Sequence, residues 1–145
     1  MLLSKAAGYA INGLVFIAVR DEATSIGVRE IAEFHGISRS YLAKIFHVLS
    51  RSGIVQSLRG VHGGYRLSRS PEAITIADIV TAVDGPVLQG VCCLQLDGCL
   101  FHDTCAVCKA VDGVNAEIKA LFSRTTIRDI ALRHEPFINL VEALR

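Results

Sequence analysis

The sequence predicts a mainly α-helical fold that contains one antiparallel β-hairpin. In the first fifty residues, apolar residues recur at helical spacing, and a glycine-containing turn separates two short helical segments. A glycine-rich turn between two short strand-like runs follows and predicts the hairpin. After residue 105, a second region of helical spacing predicts a long C-terminal helix.

Capping residues and apolar spacing predict the first three helices. Ser4 can cap a helix from about Lys5 to Arg20. A second helix is predicted over Val28–His35, because Gly36 follows it and glycine tolerates the left-handed conformation that ends many helices. A third helix is predicted over Ser38–Ser50, capped by its first residue. The second and third helices together form a helix-turn-helix.

The segment after the third helix predicts a two-stranded wing. Gly53–Leu58 has strand character, Arg59–Gly64 is a glycine-rich turn, and Tyr65–Leu67 can return as the partner strand. Glycines in the turn permit positive φ and close backbone approach. The helix-turn-helix and this hairpin together predict a winged helix-turn-helix.

The remaining chain predicts helices separated by a cysteine-rich loop. Thr75–Val83 reads as a helix that Asp84, Gly85 and Pro86 end, and Thr125 and Thr126 can cap a last short helix through Leu132. Between them, a long helix from about Cys105 to Leu121 carries an apolar stripe suited to pairing with a second copy: Val107, Val111, Val114, Ile118 and Leu121. We therefore predict a winged helix-turn-helix domain (residues 1–85), a cysteine-rich loop (86–110), and a dimerisation helix with a C-terminal tail (105–145).

Charge is distributed unevenly along the chain, although the net charge is only +1. No Asp or Glu occurs from Gly36 to Ser70, whereas ten acidic residues follow Ser70 against six Lys or Arg. The acid-free segment carries six cationic residues: Arg39, Lys44, Arg51, Arg59, Arg66 and Arg69. A basic face on one module is what binding to DNA phosphates requires. Charge alone leaves a solvated basic surface as the alternative.

The two parts of a winged helix-turn-helix that contact DNA predict the binding residues. The third helix enters the major groove with its N-terminal residues against the bases, and the wing reaches an adjacent groove or phosphates. The candidates are Arg39, Ser40, Tyr41 and Lys44 on the helix, and Arg59 and Gly60 at the wing. Small hydroxyl groups can donate to or accept from bases, and Lys44 can contact a phosphate or guanine. The Arg59 guanidinium suits a narrow minor groove or a phosphate. A winged helix used for protein contacts stays open.

Four of the five cysteines form a C-x5-C-x5-C-x2-C run: Cys93, Cys99, Cys105 and Cys108. Thiolates at this density favour zinc or an iron–sulfur cluster. Only Cys105 and Cys108 form the tight pair that structural zinc sites use twice, so the spacing favours a cluster. Structural zinc, a redox pair at Cys105 and Cys108 or at adjacent Cys92 and Cys93, and simply buried thiols are the alternatives.

Composition limits the class of protein and its location. An odd, clustered set of cysteines favours a reducing compartment. The longest apolar stretch, Ile11–Val19, is far shorter than the roughly 20 residues needed to span a membrane. We therefore expect a cytoplasmic protein with no membrane partner. No catalytic triad, carboxylate pair, phosphate-binding loop or dinucleotide fingerprint occurs in its required context, so we expect no enzyme.

These motifs together resemble the IscR/NsrR/RirA family of iron–sulfur transcription regulators, over nearly the whole chain. Four segments carry the resemblance: Leu3-Ser4-Lys5-x3-Tyr9-Ala10, Ile37-Ser38-x-Ser40-Tyr41-Leu42, Val55-x2-Leu58-Arg59-Gly60-x2-Gly63-Gly64-Tyr65-x-Leu67, and the cysteine loop. The resemblance implies a homodimer whose long helices pair and whose winged helices bind a palindromic double-stranded DNA operator. We expect the protein to act as a repressor, with activation as the alternative. The resemblance also implies a cluster that changes DNA affinity in response to iron–sulfur status, nitric oxide, iron or redox stress.

By position, Cys93, Cys99 and Cys105 match the three cluster cysteines of that family. IscR-type members carry His where this chain has Cys108, so both 2Fe–2S and 4Fe–4S clusters stay open. Cys105 and Cys108 share one face at the start of a helix, which makes Cys108 the expected fourth ligand and Cys92 the spare. A small iron–sulfur redox protein and a zinc-stabilised winged-helix regulator are the alternative functions.

Overall fold

The computed structural model describes residues 3–20, 25–60, 63–85 and 104–133, and it confirms the mainly helical fold with a two-stranded wing. The helices are α1 (Lys5–Ala18), α2 (Val28–His35), α3 (Arg39–Arg51), α4 (Ile76–Asp84) and α5 (Ala106–Arg124). The strands are β1 (Val55–Leu58) and β2 (Gly64–Leu67), and one 3₁₀ turn (Pro71–Ala73) precedes α4. A last helix, α6, covers residues 127–133 of the described chain. None of the helices in these ranges is both long and apolar enough to cross a membrane.

The ends of the first three helices largely follow the predicted signals. The Ser4 hydroxyl oxygen accepts the Ala7 N–H at 3.0 Å, as an N-cap should. Gly36 ends α2 with a left-handed φ of 64°. The predicted side-chain cap of α3 is wrong, because the Ser38 hydroxyl makes no capping hydrogen bond and lies 3.0 Å from the Ser40 hydroxyl.

Two reciprocal capping boxes begin α4 and α6. Thr75 and Asp78 exchange hydrogen bonds between side chain and backbone N–H, which begins α4. Thr126 and Asp129 do the same for α6, and the hydrogen bonds from Thr126 lower the pKa of Asp129. The Thr125 hydroxyl instead donates to the Leu121 carbonyl. Of the two predicted caps of the last helix, Thr126 is therefore the one that acts.

One hydrophobic core joins the helices of both halves of the chain. Its largest fully buried side chains include Leu14, Phe16, Ile31, Leu42, Phe46, Ile79 and Ile127. No polar or charged side chain is buried among the described residues. Phe122 of α5 and Ala131 of α6 belong to this core as well. The C-terminal helices are thus packed directly onto the winged helix-turn-helix.

Helices α1 and α3 cross at a point where only glycine fits. A Cβ atom built on Gly13 would lie 2.8 Å from a ring carbon of Phe46. Phe46 is itself fully buried, so its ring can move aside only by displacing other close-packed core side chains. Gly13 therefore sets the distance between α1 and α3.

We expect Gly13→Ala to destabilise the protein, and Gly8→Ala to stabilise it. Alanine gains about 0.8–1.0 kcal/mol of helix propensity at either position. At Gly13, overpacking against Phe46 costs about 1–3 kcal/mol and exceeds that gain. Gly8 is the matched control, because a Cβ atom at that position would meet nothing within 4 Å. Urea unfolding measures both free energies; equal stabilisation by the two variants would contradict the close crossing.

The wing is an antiparallel hairpin whose register runs from Val55↔Leu67 at the base to Leu58↔Gly64 at the tip. A bridge that the sequence did not predict adds Ile26 beside Tyr65, with both N–H···O distances at 2.9 Å. A Cβ on Gly64 would lie 2.6 Å from the Ile26 carbonyl oxygen, so the third chain segment excludes any side chain there. Gly60 is needed for a different reason, because its φ is 114°.

Only the end of the predicted cysteine loop is described. Thr104, Cys105 and Cys108 lie within the described chain, whereas Cys92, Cys93 and Cys99 lie outside it, as does the predicted tail beyond residue 133. Just beyond the C-terminal end of α5, two backbone hydrogen bonds of 2.9 Å join the chain to the segment that precedes α4: Ile76 N–H to Thr125 O and Ile127 N–H to Ile74 O.

Candidate DNA-binding surface and cysteine pair

Helix α3 points its polar face away from the protein. Leu42, Ile45, Phe46 and Leu49 face the core, so helical periodicity turns the remaining side chains outward. The four residues of α3 that were predicted to contact DNA are all exposed: Arg39, Ser40, Tyr41 and Lys44. His47 and Arg51 extend the same exposed face toward the C-terminal end of α3. The structure therefore brings the four predicted helix residues together on one accessible surface.

The cations of this surface are available to phosphates. Arg39, Lys44, Arg51 and Arg59 form no ion pair with any other residue in the described ranges. Arg69 differs, because its guanidinium lies 3.2 Å from the Asp78 carboxylate of α4. An exposed charge that already has a partner contributes less to the local potential than a free one. The basic surface is thus centred on α3 and the wing tip.

The wing presents Arg59 and Gly60 immediately after β1, and both are exposed. Residues 61–62, which follow them, lie outside the described chain. Lower on the hairpin, the Arg66 Nε and Nη2 atoms donate to the Gln56 side-chain oxygen at 3.0 and 2.8 Å. The neutral amide orients this guanidinium and leaves its positive charge in place.

The structure adds contacts behind α3 that sequence reasoning missed. Tyr41 is 41% exposed, and its ring centroid lies 6.0 Å from that of Tyr9 on α1, with the ring planes at 85°. Behind the wing, Phe46 and Tyr65 have ring centroids 5.0 Å apart. No local signal in the sequence indicated which residue of another helix Tyr9 would meet.

Cys105 and Cys108 lie at the N-terminal end of α5. Cys105 is the N-cap residue and partly buried, and Cys108 is only 4% exposed. A helix N-terminus favours the thiolate form of nearby cysteine. Soft sulfur donors three residues apart on a helix fit an iron–sulfur cluster or zinc. Among the described residues, no group of three or more His, Cys, Asp or Glu side chains is arranged to hold a metal.

The helix-turn-helix is formed by α2 and α3, its helix α3 is exposed and cationic, and a two-stranded wing follows it. This arrangement defines a winged-helix DNA-binding protein. The chain belongs to the Rrf2 family, described as "Iron-dependent Transcriptional regulator", whose family model matches residues 3–133. It is therefore a helix-turn-helix transcription regulator, a class of protein distinct from enzymes.

Two relatives show how far the similarity extends. The chain is 34% identical over 132 residues to an HTH-type transcriptional regulator of Aquifex aeolicus. That match covers 90% of this chain and 91% of the relative. It is also 34% identical over 105 residues to the HTH-type transcriptional regulator IscR of Escherichia coli K12. That match covers 72% of this chain and 64% of the relative, so the chain spans less than two thirds of the E. coli protein.

Solved structures match the same architecture. T. potens IscR superposes with a TM-score of 0.72 at 26% identity, covering 90% of this chain and 85% of that one. CymR, the global cysteine regulator of B. subtilis, superposes with a TM-score of 0.76 at 24% identity, covering 92% and 98%. The second likeness shows the shared fold alone.

Proposed function

We propose that this chain is a transcription repressor whose operator affinity is controlled by an iron–sulfur cluster. The observation that carries the proposal is the thiol pair at the start of α5, Cys105 and Cys108, on a helix whose opposite end packs into the core of the winged helix-turn-helix. The resemblance of the cysteine spacing to iron–sulfur regulators supports the choice of a cluster over zinc.

Four thiolates would hold the cluster: Cys93, Cys99, Cys105 and Cys108. When bound, an iron–sulfur cluster supplies a centre that changes charge and integrity with redox conditions. The described residues contribute the connection to DNA binding. The single 19-residue helix α5 runs from Cys105 to the hydrogen bonds that Thr125 and Ile127 make with the start of α4. A shift at the start of α5 therefore reaches the winged helix-turn-helix through a continuous helix.

The exposed surface of α3 and the wing would bind the operator. Ser40, Tyr41 and Lys44 would face base edges in the major groove, with Arg39 beside them. Arg59 and Gly60 would enter an adjacent groove or contact phosphates. Two copies related by two-fold symmetry would place their α3 helices about 34 Å apart, which matches half-sites one turn of DNA apart.

Anaerobic purification followed by operator selection tests the whole proposal. We expect visible absorption, iron and sulfide in the protein, enrichment of a palindromic duplex from random DNA, and a different affinity for that duplex after the cluster is removed. Zinc without iron or sulfide would favour the zinc-stabilised regulator. A cluster without any preferred duplex would favour a redox protein.

We expect Arg59→Ala and Lys44→Ala each to weaken operator binding. Loss of a base contact should cost about 1–3 kcal/mol at one operator position, and loss of a phosphate contact should reduce the salt slope by about one unit. Lys119→Ala is the matched control, because Lys119 is an exposed residue on α5 and its loss changes the net charge equally. Salt titrations of operator affinity measure all three variants. Parent-like binding by both Arg59→Ala and Lys44→Ala would refute the proposed docking.

A further inference from the structure

We infer that Tyr9 is a positioning residue for DNA recognition, which holds the ring of Tyr41 in the orientation that reads the operator. This inference rests on the proposed function and deepens it. Tyr9 lies on α1, outside the helix-turn-helix, and the proposal gives it no contact with DNA. Its effect would reach the bases only through Tyr41.

The two rings adopt an arrangement that aromatic pairs favour. Their centroids are 6.0 Å apart and their planes meet at 85°, which is an edge-to-face contact. Tyr9 is half-buried and Tyr41 is exposed, so one ring belongs to the packed protein and the other to the candidate DNA-binding surface. Within the described chain, neither phenol hydroxyl donates to or accepts from another residue. The Tyr41 hydroxyl is therefore available to a base.

Tyr9 lies on a helix that is held at two other points. The Ser4 hydroxyl at the N-terminus of α1 donates to the Asp84 carboxylate at the end of α4. Farther along α1, Gly13 packs against the buried Phe46 ring of α3. These contacts hold α1 against α4 before Tyr9 and against α3 after it, so the backbone of α1 holds the Tyr9 ring beside Tyr41.

A supported ring costs less to order on DNA than a free one. An exposed tyrosine on a helix can adopt more than one staggered χ1 rotamer, and binding must then select one of them. The ring contact with Tyr9 makes that selection before DNA arrives. A preorganised Tyr41 can contact a thymine methyl group with its ring or a base edge with its hydroxyl. Removal of the Tyr9 ring should therefore weaken operator binding specifically.

A double-mutant cycle on operator affinity tests the inference. We expect Tyr9→Leu to weaken operator binding about 2- to 12-fold, the range that an aromatic pair contact supports. Affinity for unrelated duplex DNA and the salt slope should stay at the parent values, because no phosphate contact changes. Tyr9→Phe keeps the ring and should bind like the parent. Tyr9→Leu should add no further loss to Tyr41→Leu, since the two residues act as one unit.

Fluorotyrosine NMR supplies an independent readout, because the chain has three tyrosines and no tryptophan. Single Tyr→Phe variants assign each resonance. We expect Tyr9→Leu, or Tyr9→Met if the leucine variant does not fold, to shift the Tyr41 resonance of the free protein. The Tyr65 resonance should stay in place, because that ring packs on Phe46 and reports an intact wing.

Three results would overturn the inference: additive losses in the cycle, equal losses on operator and unrelated DNA, or an unchanged Tyr41 resonance after Tyr9 is replaced. A merely structural role of Tyr9 predicts the first two of them. A parent protein with no preferred duplex would refute the proposed function itself, and the Tyr9 inference with it. That failure is seen in the parent before any variant is made, so the two failures are distinguishable.

Discussion

Anaerobically reconstituted Cys108→Ala protein is expected to lose the visible absorption of the proposed cluster, whereas Cys92→Ala protein is expected to keep it. Cys108 lies in the first turn of α5, three residues after the N-cap residue Cys105, and both could donate to one metal centre. Mutation of a residue that only hydrogen-bonds to a metal ligand typically lowers metal affinity by about 10- to 100-fold. Loss of a ligand itself should lower the affinity by more. Absorption, iron and sulfide content, and cluster lifetime are the measurements.

Cys92→Ala is the matched control for this experiment, since Cys92 adjoins the proposed ligand Cys93 and adjacent side chains tend to point apart. The Cys108→Ala protein should also lose the cluster-dependent change in operator affinity. The Cys108 side chain is buried, so its replacement could also destabilise the fold. Thermal unfolding of the cluster-free parent and variant proteins measures that loss of packing separately from the loss of a cluster ligand. A normal spectrum and lifetime in Cys108→Ala, together with cluster loss in Cys92→Ala, would reverse the assignment of the fourth ligand.

We expect Val114→Glu to convert the protein to a monomer and to reduce operator affinity by about 10²–10⁴-fold. That is the range by which the affinity of two linked DNA-binding modules exceeds the affinity of one. Val107, Val114 and Leu121 lie along one stripe of α5 and are 55%, 57% and 46% exposed in the single chain. A row of exposed apolar side chains on one helix is typical of a surface that a partner covers. A glutamate buried in that surface would be an unpaired charge.

Ala116→Glu is the matched control, because residue 116 is exposed on the opposite side of α5 and receives the same charge. Sedimentation at micromolar concentration should show a dimer for the parent and for Ala116→Glu, and a monomer for Val114→Glu. A parent protein that sediments as a monomer would contradict the proposed pairing, as would a dimeric Val114→Glu protein.

The predicted helices and strands agree with the structure where the signal is local. Ser4 caps α1 and Gly36 ends α2 as expected, because a cap depends on the identity of a few neighbouring residues. The exposed face of α3 was also predictable. Helical periodicity alone decides which side chains lie opposite Leu42 and Phe46, and so it places Tyr41 and Lys44 outward.

The candidate cysteine site was predictable only in part. The sequence showed the spacing of the cysteines and predicted the helix that follows Cys105. The structure places Cys105 and Cys108 at the start of that helix, α5. The roles of Cys93 and Cys99 rest on spacing and resemblance alone. Spacing says which residues are candidates, whereas ligand geometry depends on how a loop folds in three dimensions.

By itself, therefore, the sequence determined the helices, the wing, the polarity of α3 and the residue types available for DNA and metal. Tertiary structure alone decided which distant residues meet: Gly13 and Phe46, Ser4 and Asp84, Ile26 and Tyr65, Tyr9 and Tyr41. Capping and periodicity act over one or two turns of the chain, so a sequence displays them directly. Packing partners are selected by the shape and volume of a whole core, and that information exists only once the chain is folded.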